Sequence, residues 1–245
     1  MNIDVYEAEH EAERNHWWFV GRRRLFARMI ARLGLGRDEA VLDVGSSTGT
    51  NLRMLVEAGF SNVQGLDQSP VAAAYAAAKG LPNVVIGDVC RLQFTDASFG
   101  LVLATDIIEH VDDDRQAVSE LLRVVRPGGW LLVTVPTFES LWGPQDEMSH
   151  HKRRYRLDEL RAVLSLSGGQ VEQAFYFNYL LFLPILLARR ILRCFKVKLR
   201  SENDVNTPLI NAILKVVFYA DIATAPAIGM PFGVSALALV RKPME

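Results

Sequence analysis

The chain has 245 residues, half of them hydrophobic and 22% charged, which suits one filled α/β domain and is too short for two generous ones. A formal net charge of −1 supplies no basic field of the kind that non-specific nucleic-acid binding needs, so nucleic acid is not an expected partner. The two cysteines, Cys90 and Cys194, stand in no ligand spacing, which argues against a disulfide framework or a zinc site and suits a reducing, cytoplasmic setting.

Along the chain, residues 1–37 read as a helical N-terminal extension whose acidic, polar start is unlike a secretion signal. No run of roughly 18 to 20 apolar residues stands out as a spanning helix. Residues 38–136 alternate β-branched runs with helical patterns, the signature of βαβ units and a parallel sheet. Strands are predicted at Ala40–Val44, Val63–Asp67, Val84–Asp88, Phe99–Asp106 and Trp130–Val135. The helix before the fifth strand opens on Asp112, Asp113 and Asp114 and closes on Arg123, Arg126 and Pro127-Gly128-Gly129. Residues 137–177 hold a polar loop, a helix over Leu157–Ser167 and a sixth strand at Val171–Phe177. Residues 178–233 form an insertion with two amphipathic helical patterns, and residues 234–245 carry a seventh strand over Ser235–Arg241. In the first pattern Ala188, Ile191, Leu192, Phe195 and Leu199 share an apolar face, opposite Arg189, Arg193, Lys196 and Arg200. In the second, which opens at Thr207-Pro208, the apolar face is Ile210, Ile213, Leu214 and Val217.

The chemistry concentrates where the first strand hands over to a helix, in Asp43-Val44-Gly45-Ser46-Ser47-Thr48-Gly49. Glycine allows close backbone approach, and the helix start offers free N–H groups to a carboxylate or phosphate. Asp43 suits a cation. An acid beside open N–H groups matches an amino-acid zwitterion better than a pyrophosphate. Asp67 closes strand two, where an acid is placed for a ribose diol, and Asp88 closes strand three, within reach of an adenine amine. Each alone reads equally as a helix cap; three at successive strand ends form a constellation. Tyr75 and Lys79 mimic a short-chain dehydrogenase spacing, but the glycine loop is Gly-x-x-x-Gly and not Gly-x-Gly-x-x-Gly.

The segments VLDVGSSTGT, VQGLDQSP, VIGDVCRLQFTDASFGLVLATDIIEHV and LLRVVRPGGWLLVTVP resemble the class I S-adenosylmethionine-dependent methyltransferases, in particular those of ubiquinone and menaquinone biosynthesis. The resemblance implies a Rossmann-like, doubly wound α/β fold with a seven-stranded sheet whose last strand is antiparallel. It implies S-adenosylmethionine as cofactor, with Asp43, Gly45, Ser46, Ser47 and Gly49 around the methionine part, Asp67 and Gln68 at the ribose, and Asp88 with Val89 at the adenine. Thr105 and His110 are implied to lie near the transferred methyl. Ser47 departs from the family, which usually has glycine there. Asp106, Glu109 and His110 are similar to the acid-x-x-Glu-His segment that binds a divalent metal in some quinone O-methyltransferases, although relatives without metal share the Glu-His pair.

On the acceptor side, His110, His150 and His151 are candidate bases, and the Lys152-Arg153-Arg154 run suits an anionic group. The aromatic Trp17-Trp18-Phe19, followed by Arg22-Arg23-Arg24, reads either as a lid or as packing against the domain. Residues 179–200 read as peripheral membrane contact, substrate cover or a dimer face. The expected function is methyl transfer to oxygen of a small, anionic or lipid-linked acceptor such as a quinone precursor or activated sugar. The competing readings are a non-catalytic S-adenosylmethionine-binding partner protein and an NAD(P)-dependent oxidoreductase.

Overall fold

The computed structural model describes residues 3–194 and 207–244. Its strands are β1 (Ala40–Val44), β2 (Asn62–Asp67), β3 (Val84–Ile86), β4 (Phe99–Thr105), β5 (Val125–Pro136), β6 (Gln170–Phe177) and β7 (Ser235–Arg241). The helices are α1 (Ile3–Ala12), α2 (Trp17–Ala31), α3 (Thr50–Glu57), α4 (Pro70–Ala78), α5 (Asp114–Val124), α6 (Pro144–Met148), α7 (Leu157–Leu166), α8 (Phe182–Cys194) and α9 (Pro208–Ile228). The seven strands lie in the order β3-β2-β1-β4-β5-β7-β6. β1 to β5 run parallel and β7 is antiparallel to both β5 and β6, as the family resemblance implies.

β4 is apolar on both faces because both are covered, and from Phe99 to Ala104 it is entirely buried. One side of the sheet packs on α5 and α7 through Val118, Leu121, Leu160 and Leu164. The other packs on α2, α3 and α9 through Leu25, Phe26, Leu55, Phe218 and Ile222. The chain passes to opposite sides of β1 after β1 and after β3, so a crevice opens between the carboxyl ends of β1 and β4, the usual ligand position in such sheets.

Beyond shifts of one residue at several element ends, the structure differs from the sequence reading as follows. Strand five begins at Val125, not Trp130: Phe99 pairs with Val125 and Leu101 with Trp130, so Arg126–Gly129 bulges out of the strand instead of ending the helix. Gly128 there has φ +70°, and its N–H donates to the Lys242 carbonyl. β3 stops at Ile86, leaving Asp88 in the turn beyond it. The polar loop after β5 contains the short helix α6.

The insertion is corrected more deeply. In α8, Arg189 of the basic face is buried, while Ala188 and Ile191 of the apolar face are exposed together with Leu183 and Leu187. Phe195, Lys196, Leu199 and Arg200 lie outside the described residues, as do the side chains of Leu192 and Arg193. In α9 the packed face is Phe218, Asp221, Ile222 and Ala225, while Ile210 and Ile213 are exposed. α9 is also long and apolar enough to cross a membrane, with a mean hydropathy of 1.4 over an 18-residue window of which 22% is buried, contrary to the expectation that no such stretch exists. Its buried Asp221 accepts backbone N–H bonds from Asn178 and Leu180, at 2.7 and 2.8 Å, tying it to the end of β6.

Candidate active site

Asp43, the penultimate residue of β1, has no solvent exposure. Its Oδ1 accepts from the Asn51 amide at 3.1 Å, while Oδ2 is buried and has no hydrogen-bond partner. Burial pushes the carboxyl up to about 7, with the Asn51 bond opposing and Asp67 adding to the rise. An ionised carboxylate in this position calls for a cation. Gly45, at φ +74°, holds the loop against Ile107: a Cβ there would sit 1.8 Å from the Ile107 Cδ1. Asn51 also donates to Thr105 Oγ1 at 3.0 Å, linking the start of α3 to the end of β4.

Asp67 is buried at the end of β2 and accepts from the backbone N–H groups of Ser47 and Ser69, both at 2.9 Å. A third donor is the Tyr6 hydroxyl of α1 at 3.1 Å. The Asp67 carboxylate and burial together push the Tyr6 phenol well above its ordinary range, burial being the larger cause. Ser47 adopts a left-handed φ of +46°, and its hydroxyl donates to Glu9 of α1. Thr48 donates to Glu13, and Lys79 donates to the same carboxylate at 2.8 Å. α1 is thereby fastened across the glycine loop, and Lys79 is occupied in holding it.

Several residues implied as cofactor contacts also make bonds or contacts within the protein. The Ser46 hydroxyl is buried and donates to the Asp43 carbonyl at 2.8 Å. Gly49, at φ +85°, starts α3 and backs onto Leu81, where a Cβ would come within 2.7 Å of a side chain. Asp88 is exposed and caps its own turn by accepting from the Cys90 N–H at 2.9 Å. Its neighbours Gly87 and Val89 line the cavity instead, beside Gln68 and Thr105.

Across the crevice, α6 and the following loop build a buried polar knot. Asp146 is fully buried and takes two bonds from the Arg154 guanidinium, both at 2.9 Å, and one from the Gly143 N–H at 2.7 Å. Its Oδ1 lies 2.7 Å from His151 Nδ1. Burial alone would raise the Asp146 carboxyl, but the His151 and Arg154 contacts outweigh it and hold it at about 2. An ionised carboxylate on Nδ1 fixes the imidazole orientation and stabilises an imidazolium. His110 meets the His151 ring edge to face at 4.6 Å between centroids; burial first, then His151, lowers it to about 4. His150 is exposed, at φ +57°, and lines the same cavity.

Of the three residues similar to a metal-binding segment, Glu109 and His110 come together with His151, while Asp106 is engaged elsewhere. Asp106 pairs with Arg22 at 2.6 Å and accepts from Thr134 at 3.1 Å. Glu109, His110 and His151 are the group whose ligand atoms gather within 4.8 Å of one another. Glu109 is fully buried with neither carboxylate oxygen hydrogen-bonded, and burial, reinforced by Asp106, pushes its carboxyl well above the usual range.

Asp67, the glycine-loop residues Gly45, Ser46 and Ser47, and His151 with Arg154 line one cavity of about 1510 Å³, which also takes in Trp17, Phe19, Met148, Ile185, Arg189, Ile210 and Leu214. Trp18 belongs mainly to the core, stacked on Phe177 and Phe218 at 6.0 and 5.3 Å between centroids. Among the aromatics Trp17, Trp18, Phe19 and Phe26 line the wall, and the contacts to the glycine loop come from Glu9 and Glu13. Sequence reasoning missed Tyr6, Glu9, Asp146 and Arg189. Only the Asp146–His151 spacing, with Arg154 following, offered a signal.

Comparison with known proteins bears on the same segments. Residues 42–133 match the family described as Methyltransferase domain. A protein named a probable S-adenosylmethionine-dependent methyltransferase from Mycolicibacterium smegmatis is 33% identical over 165 residues, covering 66% of this chain and 62% of that protein. A demethylmenaquinone methyltransferase from Renibacterium salmoninarum is 32% identical over 125 residues, covering 49% of this chain and 52% of its own length. The chain therefore spans less than two thirds of either relative. An S-adenosylmethionine-dependent methyltransferase structure from Thermotoga maritima shares the fold at a TM-score of 0.62 and 20% identity, covering 98% of this chain and 96% of that one.

Proposed function

Since the chain carries a class I S-adenosylmethionine-dependent methyltransferase domain, we propose that the protein methylates an oxygen of a small or lipid-linked acceptor that is anionic or bears an apolar tail. The observation that carries this reading is the cavity lined both by Asp67 and the glycine loop and by His151, whose Nδ1 is held by Asp146.

The cofactor supplies an electrophilic methyl group on a sulfonium. The residues present fit it: the unpartnered Asp43 Oδ2 suits its ammonium, Gly45 keeps the loop free of a side chain, and Asp67 suits the ribose hydroxyls. Gly87 and Val89 suit the adenine edge, replacing Asp88 in that role. Tyr6 and Glu9 close the loop side against water. His151 accepts the proton of the acceptor hydroxyl, and Asp146, kept ionised by Arg154, stabilises the resulting imidazolium. His110, shifted to about 4, stays neutral at working pH and serves as a wall, not as a cation. Lys152 and Arg189 favour a negatively charged acceptor group, and Met148, Ile185, Ile210 and Leu214 favour an apolar one. A quinol or a lipid-linked sugar has both characters.

The test is methyl transfer to such acceptors by the wild type and His151→Ala. Turnover should fall by roughly 10²–10⁴-fold, the usual range for a general base, with S-adenosylhomocysteine affinity unchanged. Full turnover in the variant places the base elsewhere. The gathering of Glu109, His110 and His151 supports a second reading, in which a divalent cation activates the acceptor oxygen. Turnover that survives exhaustive chelation removes it.

A further inference from the structure

We propose that the exposed faces of α8 and α9 seat the protein on an anionic lipid bilayer. In α8, Leu183, Leu187 and Ile191 recur at helical spacing and are 60%, 58% and 56% exposed, while Arg189 of the same helix is buried and donates to the Leu141 carbonyl. A helix folded for water places those groups the other way round. In α9, Leu209, Ile213 and Val216 are 71%, 55% and 69% exposed, and the stripe continues through Ala220, Ala223 and Ala227. Scattered exposed leucines are ordinary, but two elements that line one cavity and each carry an outward apolar stripe mark an interaction surface.

Charge selects the occupant. α8 contains no acid, and the one acid of α9, Asp221, is buried against the backbone of residues 178 and 180. Arg190 is exposed on α8, and the sequence continues with Arg193, Lys196, Lys198 and Arg200 before its next acid, Glu202. Exposed apolar side chains beside the exposed Arg190, on helices that expose no acid and the first of which precedes a basic run in the sequence, match an interface of acyl chains and anionic headgroups. A second copy of the chain would bring like charges together across a two-fold axis. The inner flanks of the same helices, through Ile185 and Leu214, line the cavity. Docking therefore brings that wall to the lipid, where an apolar-tailed acceptor resides. The docking itself stands independently of the methyl-transfer reading.

The experiment is flotation of the full chain with vesicles of phosphatidylcholine alone or mixed equally with phosphatidylglycerol. The wild type should float with the mixed vesicles, less so in high salt, and remain behind with neutral ones. The variant Leu183→Gln, Leu187→Gln, Ile213→Gln, Val216→Gln should partition at least about tenfold more weakly. Its affinity for S-adenosylhomocysteine, compared with that of the wild type, reports separately on the cofactor site. Far-ultraviolet circular dichroism reports on folding. Wild type that does not float with mixed vesicles, or a folded variant that floats equally well, overturns the proposal. So does a wild-type dimer in sedimentation that the substitutions convert to monomer while neither protein floats.

Discussion

At the scale of single residues, Asp43 shows how burial converts a common side chain into a selective one. Half of its carboxylate is satisfied by Asn51 and half faces no donor, so ionisation is disfavoured until a cation arrives. Its folded value of about 7 lies above the ordinary 3.8. The stability tied to this group is therefore present below pH ~4 and lost as pH rises toward 7. A bound ammonium favours the ionised form, so affinity for S-adenosylhomocysteine should decline as pH falls below about 7, by at most about tenfold per pH unit. Calorimetric titration between pH 6 and 8 checks this, and Asp43→Asn should both weaken binding and flatten the slope. An equal slope in the variant assigns the effect to another group. Ser47 is the neighbouring lesson: it adopts a left-handed backbone, which favours glycine, and its hydroxyl engages Glu9.

At the scale of elements, the two ends of the chain are brought onto one core. Asn211 of α9 accepts from the Trp17 N–H at 2.8 Å and donates to the Asn15 carbonyl at 2.9 Å. The closest approach of α2 and α9 is at Gly21, where a Cβ would lie 2.2 Å from the fully buried Phe218 ring. Gly21→Ala should destabilise the protein by about 1–3 kcal/mol, the range for overpacking, despite alanine's better helix propensity. A shift of the urea midpoint to lower concentration is the expected reading; a shift upward means the ring gives way freely. The same junction positions Trp17 in the cavity wall, so the variant also tests whether packing here shapes the site. α1 is held differently, by polar bonds from Tyr6, Glu9 and Glu13 to Asp67, Ser47 and Thr48.

At the scale of the whole molecule, the Asp146–Arg154 knot joins the segment after β5 to the body of the protein. Arg154 also donates to the Thr137 carbonyl at 2.9 Å, and the Lys152 N–H to the Glu109 carbonyl at 2.8 Å. The Asp146 carboxyl is held at about 2 against an ordinary 3.8, so its stabilisation is complete above pH ~4 and disappears as pH falls through about 2. The shift corresponds to about 2 kcal/mol. Asp146→Asn should cost about 3 kcal/mol at pH 7, because it leaves a buried guanidinium without its counter-charge. The cost should shrink at pH 3. Urea unfolding at the two pH values measures both, and an equal loss at each removes the ion pair from the account.

The sheet was legible in the sequence because β-branched runs and glycine turns repeat in chain order, and buried parallel strands leave that pattern in one dimension. The cofactor half was legible for the same reason: Asp43, Gly45 and Asp67 owe their places to the ends of successive strands. What the tertiary structure decided depends on contacts between distant segments. It placed Asp146 behind His151, drew Arg22 onto Asp106, turned Asp88 out to cap its own turn, and laid Tyr6 on Asp67, 61 residues away. It also chose which side of α8 faces inward. Periodicity gives the two faces of a helix, but only the surroundings decide which is buried, and here the arginine went in and the leucines stayed out.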